Sequence, residues 1–348
     1  MITPLRILTR FGRASGVLVL LAIIFGSMCF LDFEYATRWS NLKEVLNYQG
    51  LFGVLTLGVG VLILSGGIDL SIGSVVGFSG VAFGVLMKDG MPPFRAAACV
   101  LLLGIGIGLT HGLLVTRLKL QPFLVTLCGL FVYRGLARVI SPKERPGMQK
   151  IAHGHPDFRD ELDSLSQWLT GRDLERVFGF PMMIVVALAL ALIIGLVLHG
   201  SVYGRYWYAI GRNEQATRYA GVNVNRHKVW AYILCSMLAS LGGIMVFLDE
   251  GSVTPESTGE TWELYAITGA VLGGCTLRGG EGTVLGMILG ASVLPLLKNL
   301  INRVGNFPDV RAVIPAIDPV IPIIIGLTLL AGTIVDEILR RRAKAKKT

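Results

Sequence analysis

Long apolar runs separated by short polar breaks make up most of this 348-residue chain. A membrane-spanning helix takes about 20 predominantly apolar residues. Ten runs fit that description: 14–31, 45–67, 70–87, 96–116, 120–138, 177–204, 229–248, 262–277, 282–301 and 319–335. Arg134 interrupts the fifth, and the eighth and ninth are weak signals. Short or broken spans are tolerated where protein, and not lipid, surrounds them. The pattern predicts an all-α integral membrane protein of about ten transmembrane helices. It divides the chain into a segment 1–13, a membrane domain 14–335 and a basic tail 336–348. Arg6, Arg10 and Arg13 recur at helical spacing, which suits a short interfacial helix. With the run 14–31 they have the layout of a signal peptide. No small-x-small cleavage site ends that run, so a retained anchor is expected.

Charge orients the spans. Lys and Arg concentrate in loops on the cytoplasmic side of a membrane, and an even span count puts both termini on one side. With cytoplasmic termini the inner segments hold 17 basic and five acidic residues, and the outer segments 15 and 18. Count and charge agree on that orientation. The strongly basic long break is Tyr203–Val229, where Arg205, Arg212, Arg218, Arg226 and Lys228 face Glu214 alone. It is helix-permissive from Asn213 to Tyr219 and suits docking of a cytoplasmic partner. In the outer segment 139–176, Phe158, Leu162, Leu165 and Leu169 recur at helical spacing beside Trp168. They predict an amphipathic surface helix, either a solvated cap or a docking site for an outer protein. The outer loop Asp249–Glu263 carries five acids and no basic residue.

Composition supports the membrane reading. Hydrophobic residues are 53% of the chain and charged residues 16%, with a mean hydropathy of +0.64. Soluble chains carry about 25% charge, so too little is left here to cover a water-facing surface. The net charge of +9 does not signal nucleic acid, because such binding needs a basic patch on a water-facing domain. Cys29, Cys99, Cys128, Cys235 and Cys275 are far apart and sit in apolar runs, without metal-ligand or redox spacing.

Several constellations carry candidate chemistry. Gly104, Gly108 and Gly112 recur every four residues, as do Gly282, Gly286 and Gly290; Gly73 with Gly77 and Gly80 with Gly84 repeat the spacing. Each set predicts a smooth helix face against which another helix packs. The stretch Gly273–Gly282 looks superficially like a phosphate-binding loop. It lacks the Gly-Lys-Ser/Thr ending and a preceding strand, so any ATP is bound by another subunit. Asp69, after Ser65, Gly66 and Gly67, reads either as the N-cap of the third span or as a pathway or gate carboxylate. Glu263 faces either a polar pathway or water, and Asp318 before Pro319 reads as a helix cap. His153 and His155 lack the further ligands a metal site needs. No catalytic constellation is present in the sequence, so the chain is not expected to be an enzyme. An ion-gradient-driven secondary transporter is the alternative class; such proteins carry buried charge pairs and inverted repeats, and the mid-span regions here are nearly charge-free.

Ile63-Leu64-Ser65-Gly66-Gly67-Ile68-Asp69-Leu70-Ser71-Ile72-Gly73-Ser74, then Pro122–Leu127 with Tyr133-Arg134-Gly135, resemble the ribose-type sugar ABC transporter permeases. So do Gly204-Arg205, Ala209-Ile210-Gly211, Asn213-Glu214, Ala216-Thr217-Arg218, Gly221-Val222-Asn223-Val224, and Leu272-Gly273-Gly274 with Gly279-Gly280. The match runs in consistent order over most of 45–340. The resemblance implies a type II ABC importer-like permease fold in a bacterial inner membrane, moving a sugar such as ribose, xylose, arabinose or galactose. It implies a second permease copy, two cytoplasmic ATPase subunits and a periplasmic or lipid-anchored sugar-binding protein as partners. ATP and Mg would sit on the ATPase, with no cofactor on this chain. The loop 205–228 would hold the coupling helix, with Arg212, Asn213, Glu214, Ala216, Arg218 and Gly221 as coupling positions. The general importer signature places its glycine six residues after the glutamate. Gly221 comes seven after Glu214, which leaves the register of that contact open.

Overall fold

The computed structural model describes residues 4–141, 145–171, 181–307 and, singly, 323, 326, 327 and 330. The tail 336–348, the Asp318–Pro319 cap and, apart from those single residues, the tenth predicted span lie outside the described residues. In chain order the helices are α1 (Pro4–Leu31), α2 (Phe33–Thr37), α3 (Trp39–Leu64), α4 (Ile72–Lys88), α5 (Pro93–Thr116), α6 (Pro122–Ile140), α7 (Met148–Gly154) and α8 (Arg159–Leu169). They continue with α9 (Met182–Gly200), α10 (Val202–Arg212), α11 (Glu214–Tyr219), α12 (Val224–Glu250), α13 (Trp262–Leu272), α14 (Val284–Ala291) and α15 (Val293–Gly305). No named strand occurs among the described residues; one isolated antiparallel bridge joins Gly147 to Ser252.

Among the described residues, six segments are long and apolar enough to cross a membrane: α3, α5, α6, α9, α12 and the stretch 284–305 made of α14 and α15. Gly16–Leu31 within α1, and α4, are shorter apolar helices. Two expected spans differ. The eighth, 262–277, holds the 11-residue α13, which at 1.5 Å per residue extends only about 16 Å. The ninth is broken at Ser292. Pro295 lacks an N–H and its ring crowds the carbonyl four residues back, so the chain ends α14 at Ala291 and starts again at Val293.

The buried helices α3 and α12 form the centre. Helix α12 packs against α5, α4 and α3, while α9, α13 and α14 pack on α3, and α6 lies outside α4. Lipid tails are as apolar as leucine, so close packing and not the hydrophobic effect decides which helix faces meet. Gly104, Gly108 and Gly112 of α5 face Ser240, Ile233 and Val229 of α12 in antiparallel order. A Cβ on Gly108 would stand 2.5 Å from the Ile233 Cα, and one on Gly112 would stand 2.8 Å from the Val229 Cα. Gly286 and Gly290 of α14 meet the backbones of Gly273 and Gly269. Gly282 does not share that face. The Thr283 side chain accepts from the Gly286 N–H and so starts α14 one residue later, leaving Gly282 in the preceding loop against Cys275.

The segments around α8 and after α12 also fold onto the bundle. In and beside α8, Phe158, Leu162 and Leu165 are buried and Trp168 is exposed, as the amphipathic pattern predicts. The loop after α12 runs back along α4: Gly77 faces the Thr258 carbonyl and Gly73 faces Gly259. The Arg134 Nη1 donates to the Thr258 O at 2.6 Å and fastens that loop to α6.

Replacing Gly108 by Leu should cost about 1–3 kcal/mol through overpacking of the α5–α12 contact. Gly106→Leu, on a face where nothing lies within 4 Å, should change stability by no more than about 0.5 kcal/mol. Thermal unfolding of both variants in detergent measures the difference.

Candidate functional site

The basic break folds as two short helices at right places for its polar groups. The Trp207 indole and Ile210 bury one face of α10, and the Trp207 Nε1 donates to the His227 O at 2.8 Å. The chain then extends at Asn213, whose Oδ1 accepts from the Ala216 N–H at 2.9 Å and caps α11, satisfying one free donor of its first turn. Gly221 ends α11 in the left-handed region, at φ +82°. Its N–H donates to the Arg218 O, and the Val222 N–H reaches the Thr217 O; this pair of bonds is a Schellman stop, which favours glycine. The spacing of seven between Glu214 and Gly221 is therefore the six-residue α11, its C-cap Ala220 and the left-handed glycine.

Glu214 is half-buried at the foot of α12. Its carboxylate meets the Lys228 Nζ at 2.5 Å and the Arg218 Nη2 at 3.0 Å, tying α11 to the first turn of α12. Burial alone would raise its pKa; the hydrogen bonds and charges of Lys228 and Arg218 outweigh burial and hold it below the ordinary carboxylate range. Arg212, Asn213, Ala216, Arg218 and Gly221 are exposed. So is Tyr219, at 89%, which sequence reasoning passed over as the end of a helix-permissive stretch. Thr217 is buried, and two residues further along a helix is about 200° around it. That offset points Tyr219 away from the protein.

Three glycine-bearing segments meet at the C-terminal end of α10. A Cβ on Gly211 would overlap the Leu64 carbonyl and the Gly280 nitrogen. A Cβ on Gly279 would stand 2.9 Å from the Gly211 Cα and 3.1 Å from the Gly66 Cα. Hydrogen bonds fix the junction: the Gly280 N–H to the Leu64 O at 2.9 Å, the Arg212 Nε to the Gly280 O at 3.3 Å, and the Tyr208 Oη to the Gly282 O at 2.9 Å. Gly66 and Gly279 both have positive φ, which glycine adopts without steric cost. The stretch that resembled a phosphate loop is thus a turn clasped by α10. Sequence reasoning had kept 65–67, 205–228 and 273–282 apart.

Beside this junction lies a cavity of about 360 Å³ lined by Gly66, Gly67, Ile68, Gln121, Pro122, Phe123 and Leu277. Ser65 is buried and its Oγ donates to the Leu62 O at 2.7 Å. Asp69 is fully buried. Ser71, and not Asp69, is the N-cap residue of α4. Asp69 instead folds back in a local turn, its Oδ1 accepting from the Ser71 N–H at 2.7 Å and the Ser71 Oγ at 2.6 Å. Its Oδ2 faces the Nδ1 of His111 on α5 at 3.7 Å, and the His111 Nε2 is hydrogen-bonded to the Tyr133 Oη of α6 at 3.0 Å. Sequence reasoning gave His111 no role. Glu263 is buried with its carboxylate against Gly73, so Asp69 and Glu263 sit at the same end of α4. His155 stacks on Phe158 and approaches the Lys88 O at 3.2 Å, a local packing role.

A bundle of long apolar helices, carrying a basic surface helix clamped to two turns beside a cavity, defines a membrane transport permease. The chain belongs to the family described as branched-chain amino acid transport system/permease component, whose model matches residues 41–330. It is 32% identical to the ribose import permease protein RbsC of Escherichia coli K12 over 80% of this chain and 83% of that protein. It is 34% identical to the inner membrane ABC transporter permease protein YjfF of the same strain over 80% of each chain. The autoinducer 2 import system permease protein LsrD of Enterobacter sp. 638 is 30% identical over 73% of this chain and 74% of that protein. No solved structure matches the chain.

The depressed Glu214 pKa fixes the sign of a pH effect. A carboxyl whose folded pKa lies below its unfolded value contributes stability above the unfolded value and loses it as pH falls through the folded one. Hydrogen exchange in α11 should therefore accelerate as pH is lowered below the ordinary carboxylate range, after correction for intrinsic exchange. Glu214→Gln should exchange fast throughout and show no such transition.

Proposed function

We propose that the chain is the membrane-spanning permease subunit of an ATP-binding-cassette importer that moves a monosaccharide of the ribose, xylose, arabinose or galactose type. In this reading it lies in a bacterial inner membrane with both termini in the cytoplasm. It pairs with a second permease copy, two cytoplasmic ATPase subunits and an outer sugar-binding protein. The observation that carries the reading is the exposed, doubly capped α11 within the basic break, joined through α10 to turns inside the bundle. A helix presenting Ala216 and Tyr219 outward, capped by Asn213 and tied to α12 through Glu214, is built to receive a push from a partner. The membership in a permease family and the import names of its relatives supply the substrate class.

When the ATPases close on nucleotide, α11 moves with them. The α10 junction passes that displacement to the turns at 65–69 and 276–282, and the helices shift between outward- and inward-open states. Glu214 acts as a positioning residue, since its partners are Lys228 and Arg218 of this chain. The buried Asp69–His111 pair favours a second reading, an ion-gradient-driven carrier, because ionisable residues inside a membrane mark ion pathways.

Reconstituted vesicles separate the two. Sugar uptake should require the ATPase subunit and ATP and persist when the proton gradient is collapsed. Uptake by the purified chain alone along an ion gradient would establish the second reading. Glu214→Arg, which places a third cation beside Lys228 and Arg218, should leave insertion intact while separating ATP hydrolysis from uptake. Unchanged uptake in that variant would remove the assignment of α11 as the coupling element.

A further inference from the structure

The Asp69–His111 pair is incompletely made. Asp69 Oδ2 and His111 Nδ1 are both buried without a hydrogen-bond partner, and they face each other at 3.7 Å. The other side-chain polar atoms around them are engaged. Ser71 holds Asp69 Oδ1, Tyr133 holds His111 Nε2, and the Tyr232 Oη of α12 reaches the Ile68 O at 3.4 Å. The Tyr232 ring stands edge-on to His111, centroids 6.4 Å apart. A buried carboxylate without a partner is strongly unfavourable. A pair within Coulomb reach but short of hydrogen bonding closes or opens with a small displacement of one element.

That element is the turn from Gly66 to Asp69. It joins α3 to α4, borders the cavity through Gly66, Gly67 and Ile68, and touches α10 through Gly66. His111 comes from α5 and Tyr133 from α6. Moving the turn away from α5 separates Asp69 from His111, and it also widens the cavity. We propose that Asp69 and His111 form a polar latch that seats this turn against α5 and α6, so that the cavity deepens only when the latch is released. The inference rests on the transport reading for its purpose, but the latch itself is a property of this chain alone. Asp69 and His111 are positioning residues that act through the turn.

The test is the accessibility of position 68 in native membranes. An Ile68→Cys reporter is labelled with a membrane-impermeant maleimide in inside-out vesicles, with the parent chain as background. Asp69→Asn and His111→Gln, close in shape but without the carboxylate–imidazole contact, should each raise the labelling rate about tenfold. Tyr133→Phe keeps both partners of the contact and should stay within about twofold of the reporter alone. The exchanged pair Asp69→His with His111→Asp should restore slow labelling. Single variants that label as slowly as the reporter would overturn the latch. So would an exchanged pair as fast as the singles, since general packing and not this contact would then hold the turn. Because no ATPase, nucleotide or sugar enters the measurement, its failure is distinct from a failure of ATP-driven uptake.

Discussion

Gly211 ends α10 with its backbone against Leu64 and Gly280, and Gly279 rests between Gly211 and Gly66. That contact joins three distant parts of the sequence with no side chain between them. Polar backbone groups out of water must be paired internally, and the Gly280 N–H to Leu64 O bond does this for two turns at once. Any side chain at Gly211 would force the turns apart. The helices around the junction inherit their positions from it, because α3 leads into one turn, α13 and α14 flank the other, and α10 carries α11.

The same constraint separates two kinds of helix. Buried α3 and α12 carry glycines and small residues where neighbours approach, and α4 does the same through Gly80 against Gly243 of α12. Helices α6 and α9 keep Phe123, Leu124, Phe131, Leu188, Leu192 and Leu196 exposed, as lipid contact requires of a helix at the rim. Farther along, Arg303 is paired with Asp32 and lies over the rings of Tyr35 and Phe307, and Asn299 donates to the Asn41 Oδ1 at 2.6 Å. These bonds hold α15 to α2 and α3 at the end away from the glycine junction.

Much of this was legible in the sequence because it is local or periodic. Apolar runs located the long helices, four-residue glycine spacing located the α5–α12 face, and the polar break with Asn213 and Gly221 located α11. What stayed hidden was long-range. Nothing in the local pattern says that Gly66 meets Gly279, or that a carboxylate after Gly67 is answered by a histidine on α5. Asp69 read more readily as a cap, since a short polar residue before a helix satisfies the same backbone groups. The loop Asp249–Glu263 read as an outer loop from the span count, with Glu263 facing a polar pathway or water; Glu263 is buried and Thr258 is bonded to Arg134. The eighth span misled for a related reason, since apolar length does not reveal where a helix stops half-way; the ninth was located, without the break that Pro295 puts in it.

The central claim is that α11 and the 276–282 turn move as one body through the junction at Gly211. Spin labels at Gln215 on α11 and Leu277 on the turn, both exposed positions, report on it directly by pulsed electron resonance in the assembled transporter. The distance between them should be the same without nucleotide and with ATP bound. A change on the scale of one helical turn, about 5 Å, would show that the two elements slide past each other and would contradict the account.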